Sequence, residues 1–443
     1  MLERGAMENT TGKVGSTPTT DRERIFALDA LRGVAVLGIL LINIIEFGLP
    51  GAYLNPANAG GASGANLWAW IATSFFFEGT LRGLFTLLFG AGVVLYTCRL
   101  ERAGLGLVSA DLYLRRNLWL IAFGAFNAYV LLFDGDILFY YGAAGLLLYV
   151  FRNLPVRRLL FFAIPLLCVP TIVGTIAYVD FQDMQAQAEQ VQLLQAQGST
   201  LTTEQQRVID DFHERLEYEQ PTVETQEETV QAMRESYASA FALTSGPTFD
   251  ADTFCEYLGM MLLGMAFMKS GVLTAQWSSA SYWRMLITGW GIGYLVNAFE
   301  IAQQVRNDFD VNSMLSAEFI TYDLGRIPLT LGHLAFIMLL IKGGWFRGAF
   351  RVLASVGRMA LTNYLAHSVI CLFVFTGAGL ALYGQLERYQ LYYLVVGIWA
   401  MQLAWSPWWL QRYRFGPAEW LWRSLTHWRR QPFKRDGMVD AAD

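Results

Sequence analysis

The chain has 443 residues, of which 54% are hydrophobic, 14% aromatic and 16% charged, with a mean hydropathy of +0.34. A soluble domain carries about 25% charged residues; this composition excludes a soluble globular enzyme and a disordered chain and points to a polytopic membrane protein. The net charge of −5 shows no basic excess, which argues against nucleic acid as a partner.

Residues 1–24 are rich in Thr, Gly, Ser and charge with no apolar run, and read as a disordered cytoplasmic tail rather than a signal peptide. Apolar stretches then recur. A bilayer-crossing helix needs about 20 mostly apolar residues. Ten stretches are expected to cross: 30–49, 80–99, 116–133, 136–151, 157–179, 253–270, 282–301, 319–341, 362–383 and 390–410, the fourth being short. Residues 66–78 and 347–359 read as shorter amphipathic helices leading into the second and ninth spans. Lys and Arg concentrate in cytoplasmic loops. Here they cluster at 22–32, 99–116, 152–158, 269–284, 342–358 and 412–435, while the connection 50–66 has none and 134–136 holds Asp134 and Asp136. An even number of spans with both termini cytoplasmic satisfies this alternation.

The expected fold is therefore all-α: ten transmembrane helices with a helical extracytoplasmic insertion. Residues 25–179 hold helices one to five, 180–250 the insertion, 251–411 helices six to ten, and 412–443 a cytoplasmic tail. The insertion carries 14 acidic and 3 basic residues. Helices are expected over 182–197 and within 204–241, with capping residues at 202–204 and 222–226. They read either as a solvated cover for the outer mouth or as a gate for a substrate.

A charged side chain at the bilayer centre costs at least about 2.5 kcal/mol, so charges within spans are functional candidates. Asp29, Arg32 and Arg358 fall at cytoplasmic ends; Glu78, Arg82, Asp134, Asp136, Glu300, Asp323 and Arg326 fall toward outer ends; Asn43 lies in the outer half of the first span. Glu78 and Arg82 share a face if the helix is continuous there. The outer group reads as ion pairs tying helix ends together or as a polar cavity for a substrate head group. His333 reads as a buried hydrogen-bonding residue ahead of a base or ligand, and Asn363 with His367, one turn apart, as interhelical hydrogen bonding ahead of a proton relay. Cys98, Cys168, Cys255 and Cys371 lie in apolar segments without CxxC spacing, so neither a disulfide framework nor a metal site is expected. Gly90, Gly92, Gly259, Gly264, Gly289 and Gly293 read as helix-packing positions. The tryptophans from Trp405 to Trp428, beside arginines, read as an interfacial belt.

Several strings carry a resemblance: Leu28-Asp29-Ala30-Leu31-Arg32-Gly33, Gly38 to Asn43, Phe77-Glu78-Gly79-Thr80-Leu81-Arg82-Gly83, Gly135-Asp136-Ile137-Leu138, Gly357-Arg358-Met359-Ala360-Leu361-Thr362-Asn363-Tyr364 and Phe415-Gly416-Pro417-Ala418-Glu419-Trp420-Leu421-Trp422-Arg423. The chain resembles the YeiB-like bacterial membrane proteins, domain of unknown function 418, from residue 25 to about 430. That family is grouped with the transmembrane acyltransferases, which include heparan-α-glucosaminide N-acetyltransferase. The resemblance implies a multi-pass protein of the bacterial inner membrane in contact with membrane lipids. It also implies an acyl-CoA donor on the cytoplasmic side, an envelope acceptor outside, and no permanently bound cofactor. On that reading Glu78 is the base, Asn43 an oxyanion or acceptor contact, and Arg82 an orienting residue. Asp136, Arg326 and Asp323 shape the acceptor site, while Asp29, Arg32 and Arg358 face the donor. The chain departs from the acetyltransferase pattern in one respect: residues 44–66 hold no histidine. The alternative is a transporter or lipid-binding scaffold, with helix breaks near Gly79 and Gly83. Small residues in the spans permit a homo-oligomer without requiring one.

Overall fold

A computed structural model describes residues 25–435, apart from 54, 60, 105, 247 and 248. The expected tail over 1–24 lies outside the described residues. The described residues are helical, with an isolated antiparallel bridge between Tyr413 and Lys434 and no strands.

The first helix, α1 (Phe26–Gly48), is mostly apolar, with Asp29, Arg32, Asn43 and Glu46 toward its ends, and stops before Leu49-Pro50-Gly51, where proline and a left-handed glycine end it. Next come α2 (Gly64–Phe76) and α3 (Thr80–Arg102), two parts of one interrupted 39-residue span. The interruption is at Gly79, whose φ of +67° suits glycine. A side chain there would also strike Tyr322 and Arg326. The sequence condition for a Glu78–Arg82 pair, a continuous helix, is thus not met. After them, α4 (Leu107–Tyr129) and the short α5 (Leu138–Phe151) lead to α6 (Val156–Ala196), which runs 41 residues without a break at 180. The helix expected over 182–197 is the last part of α6.

The expected helix over 204–241 is divided. Its first part, α7 (Thr203–Glu219), is capped by a Thr202–Gln205 box and ends beside Pro221. Two short helices follow, α8 (Glu227–Glu235) and α9 (Tyr237–Leu243). Folding back of α7 onto α6 buries Phe212 with Phe181, Ala188 and Leu315. The second half comprises α10 (Ala251–Lys269), α11 (Ser279–Arg306) and α12 (Val311–Ser316). A π-helical turn, Ala317–Thr321, carries α12 into α13 (Tyr322–Lys342). The amphipathic α14 (Arg347–Arg358) bends by 76° into α15 (Ala360–Phe375), followed by α16 (Arg388–Arg412) and α17 (Pro417–Thr426).

Among the described residues five helices are long and apolar enough to cross a membrane, or six if the bent α14–α15 pair is one span. The chain is a membrane protein. The difference from the ten expected stretches has a local cause. At 14 residues α5 is short, while α4, α10 and α16 each carry several charged or amide side chains.

The connections sort to two ends. At one end the insertion is bonded to three of them: Asn58 Nδ2 donates to the Pro221 carbonyl, Tyr237 Oη to Val130, and Gly377 N to Met233. At the other, Lys269 Nζ donates to the carbonyls of Arg152 and Leu154, and Lys342 Nζ to those of Ala275 and Trp277. Between the ends, glycines set the closest helix approaches. A methyl on Gly357 would strike the Asp29 carbonyl oxygen, and one on Gly33 that of Leu353. The backbones of α1 and α14 therefore touch.

Candidate functional site

The site is built where α2 breaks into α3, beside the start of α13. Glu78 sits in the break, half-buried. Its Oε1 accepts from Tyr53 Oη at 3.1 Å and from Tyr322 Oη at 3.3 Å. Tyr53 comes from the connection after α1, and Tyr322 opens α13. The charge of Glu78, followed by burial, pushes the Tyr53 phenol well above its ordinary value; Tyr322 and Glu46 add to this and Arg82 opposes it. Those five groups share one electrostatic neighbourhood.

The two arginines expected to neutralise carboxylates do so, with partners the sequence did not single out or did not pair. Arg82 forms a fork with Glu256 on α10, Nη2 lying 3.0 and 3.2 Å from the two carboxylate oxygens, while its Nη1 donates to Tyr257 Oη at 2.9 Å. Arg326 forms a short ion pair with Glu300 on α11, buried on both sides. Thr321 Oγ1 donates to the other Glu300 oxygen at 2.6 Å. The Arg326 guanidinium lies over the Tyr322 ring, 4.3 Å from its centroid. Buried Asp323 lies one turn from Arg326, but Arg326 pairs with Glu300. Glu318 stands in the π-helical turn just before Tyr322.

Asp136 has a different task from shaping this cluster. Its Oδ2 accepts from Phe139 N at 2.9 Å, capping α5, and its Oδ1 accepts from Asn127 Nδ2 at 2.8 Å and Tyr364 Oη at 3.3 Å. It joins α4, α5 and α15. Asn43 is half-buried on α1. Gly38 abuts Leu81, so Asn43, on the C-terminal side of that crossing, and Glu78, on the N-terminal side of Leu81, lie toward the same end of the bundle. Beyond Asn43 on α1 is Glu46, which the sequence reading missed. Glu46 and Glu256 obeyed the same signal as Glu78, a carboxylate inside an apolar stretch. The tyrosines carry no such signal.

At the opposite end Arg32 Nη1 binds Asp29 Oδ1 at 3.1 Å, one turn away on α1. Arg358 closes α14, whose Gly357 rests on the Asp29 backbone. The C-terminal motif also has a role here. Glu419 accepts from Thr362 N at 3.1 Å and from the Thr362 hydroxyl, binding α17 to the first turn of α15. Burial pushes the Glu419 carboxyl up from its ordinary value, against those hydrogen bonds. Trp422 Nε1 donates to the Arg116 carbonyl at 2.8 Å, and the Arg116 guanidinium lies 3.7 Å from the Trp422 ring centroid. These aromatics thus pack the helix ends together.

His367 and His333 both make hydrogen bonds inside the bundle. His367 Nε2 lies 3.1 Å from Gln402 Oε1, and Asn363 bonds Ser406, Trp405 and Gln402, tying α15 to α16. His333 Nδ1 lies 2.7 Å from the Leu329 carbonyl oxygen. All four cysteines are free. Among the described residues no group of three or more His, Cys, Asp or Glu is placed to hold a metal ion.

Comparison with known proteins gives a consistent family. Residues 267–429 match the family described as a protein of unknown function, DUF418. Uncharacterized protein YxaH of Bacillus subtilis (strain 168) is 30% identical over 434 residues, covering 95% of this chain and 99% of that protein. Uncharacterized protein YeiB of Escherichia coli (strain K12) is 30% identical over 410 residues, covering 91% and 96%. No solved structure matches the chain.

Proposed function

This chain belongs to the DUF418 family of YeiB-like membrane proteins, and from that premise we propose that it is a membrane acyltransferase, moving an acyl group from a cytoplasmic acyl-CoA to an acceptor outside the inner membrane. The proposal includes ten crossings with both termini cytoplasmic, the α6–α10 insertion lying outside. One observation carries it: Glu78 is held by two tyrosine hydroxyls, while Arg82 and Arg326 are engaged by Glu256 and Glu300. A carboxylate neutralised by arginine is a poor base; one held by phenols and half open to ligand can accept a proton.

On this reading Glu78 takes the proton from the acceptor hydroxyl or amine as that atom attacks the thioester carbonyl. The C–S bond breaks and the CoA thiolate leaves. Asn43 donates to the carbonyl oxygen as it gains charge. Arg82, Arg326 and Asp323 set the walls around Glu78, and Asp136 holds the helices that frame them. The donor's phosphates lie at Arg32 and Arg358, with Asp29 orienting Arg32. Arg32 and Asn43 are eleven residues apart on α1, roughly 16 Å at 1.5 Å per residue, a gap for the extended pantetheine arm to cross.

The test is calorimetric titration of the purified chain with short- and long-chain acyl-CoA, followed by a thiol-release assay over an acceptor screen. Saturable binding is expected, weakened in Arg32→Ala and Arg358→Ala. Glu78→Gln is expected to bind normally and to release thiol about 10²–10⁴-fold more slowly. Absence of saturable binding to any CoA ester overturns the proposal. The second reading, transport of a small amphipathic solute, is favoured by the broken helix at Gly79 beside the charged cluster. Counterflow of labelled solute in proteoliposomes, unaccompanied by thiol release, would select it.

A further inference from the structure

Beneath the insertion lies a cavity of about 170 Å³ whose lining includes neither Glu78 nor the arginines around it, and which the transfer reading does not use. Its polar wall is formed by Glu46, from the end of α1, and Asp134, from the connection between α4 and α5. Among the described residues neither carboxylate has a hydrogen bond or an ion pair, in contrast to Glu256, Glu300, Asp136 and Glu419. Gly135 packs against the Glu46 carboxylate, leaving no room for a side chain between the two acids. Burial pushes the Asp134 carboxyl up from its ordinary value. Two carboxylates that face one space with no cation among its lining residues repel one another, and a bound cation relieves that repulsion.

The remaining wall is aromatic and apolar. Phe47 and Phe133 stack with centroids 4.2 Å apart, and Phe375 and Tyr383 also line the cavity. The roof is the insertion itself, through Met233 on α8 and Ala240 and Leu243 on α9. Aromatic faces and carboxylates around one space share a preference for an organic cation: the rings attract a weakly hydrated positive charge and the carboxylates neutralise it. Size narrows the class. A cavity of about 150 Å³ holds benzene, so this one takes a ligand of similar bulk, too small for an acyl chain or a nucleotide.

We propose that this cavity is a binding site for a small organic ammonium ion, held between Glu46, Asp134 and the aromatic wall and enclosed by α8 and α9. The proposal does not depend on acyl transfer. An ammonium held here touches the insertion through Met233, Ala240 and Leu243, which gives these helices a task beyond covering the bundle. The roof is anchored by Arg234 Nε donating to the Tyr383 carbonyl at 2.6 Å, Gly377 N to the Met233 carbonyl at 2.8 Å, and Tyr237 Oη to the Val130 carbonyl at 3.0 Å.

The test uses the purified full-length protein in detergent, titrated calorimetrically with choline, tetramethylammonium and the uncharged choline isostere 3,3-dimethyl-1-butanol. At least one of the two ammonium ions is expected to bind saturably and about tenfold or more tightly than the isostere. Glu46→Gln and Asp134→Asn are each expected to weaken that binding about tenfold or more while retaining a cooperative thermal transition. Hydrogen exchange in residues 227–243 is expected to slow when the ammonium is bound. Absence of saturable binding by both ammonium ions overturns the proposal. So does equal binding of the isostere, or unchanged affinity in two folded carboxamide variants. A Glu46→Gln chain that fails to fold leaves Asp134→Asn, an exposed position, to decide.

Discussion

At the scale of single residues, what distinguishes the Glu78 cluster is how its charges are apportioned. Three carboxylates, Glu78, Glu256 and Glu300, meet two arginines, Arg82 and Arg326, and each arginine is claimed by a partner on another helix. Removing either partner from a buried pair leaves an uncompensated charge and costs several kcal/mol. Glu78 is outside this arrangement, which allows a chemical role for it. Glu419 offers a separate check on burial. Its folded-state affinity for a proton is raised by burial, so the folded chain binds more protons than the unfolded chain between the ordinary glutamate value and the raised one. Its contribution is therefore fully present below the ordinary value and is lost as pH rises through the raised one. The thermal midpoint of the wild type should fall over that window. In Glu419→Gln this component of the slope should vanish, and an unchanged slope would assign the pH dependence elsewhere.

At the scale of helices, the charge rule located Glu78, Arg82, Glu300, Asp323 and Arg326 from sequence, because a charge in an apolar run is conspicuous. Their pairing was hidden: Arg82 and Glu256 are 174 residues apart, and Arg326 and Glu300 are 26 apart on different helices. The break at Gly79 was visible as a glycine. Its consequence, turning Glu78 away from Arg82 toward Tyr53 and Tyr322, depends on a backbone angle. Helix approach is similarly exact in places. On α14, Gly357 touches the Asp29 backbone, whereas nothing lies within 4 Å of a methyl placed on Gly348. Gly357→Ala should destabilise the protein by about 1–3 kcal/mol through overpacking. Gly348→Ala should be neutral or stabilise by about 0.5–1 kcal/mol. Unfolding of the two variants in detergent, followed by circular dichroism, measures the contrast; equal effects would mean that α1 and α14 are not in backbone contact.

At the scale of the whole molecule, the insertion is a continuation of the bundle. Its first helix is the end of α6, and its later helices are bonded to connections 49–63, 130–137 and 376–387. Those are connections to which the loop charges assign an outer position. The arginine-rich connections meet one another at the opposite end. Topology then follows as a prediction. In a chain with its native cysteines replaced, a cysteine at Gly198 should react with an impermeant thiol reagent added outside intact cells. One at Gly348 should react only after the membrane is opened. Labelling of both from the same side would remove the proposed orientation.

The sequence by itself determined that this is a helical membrane protein, the family it belongs to, and which charges stand in apolar surroundings. These are local properties: hydropathy over about 20 residues, the asymmetry of loop charge, and short motifs each legible within one segment. It also anticipated the bonding of Asn363 and His367 across a helix interface, since two polar residues a turn apart in an apolar helix need partners. The tertiary structure alone decided that Arg82 faces Glu256, that Asp136 caps α5 instead of facing Glu78, and that Glu46 and Asp134 share a cavity under α8 and α9. Each of these outcomes depends on the rotation and crossing of helices far apart in the chain, set by glycine contacts and side-chain volumes summed over the whole bundle, which no local pattern encodes.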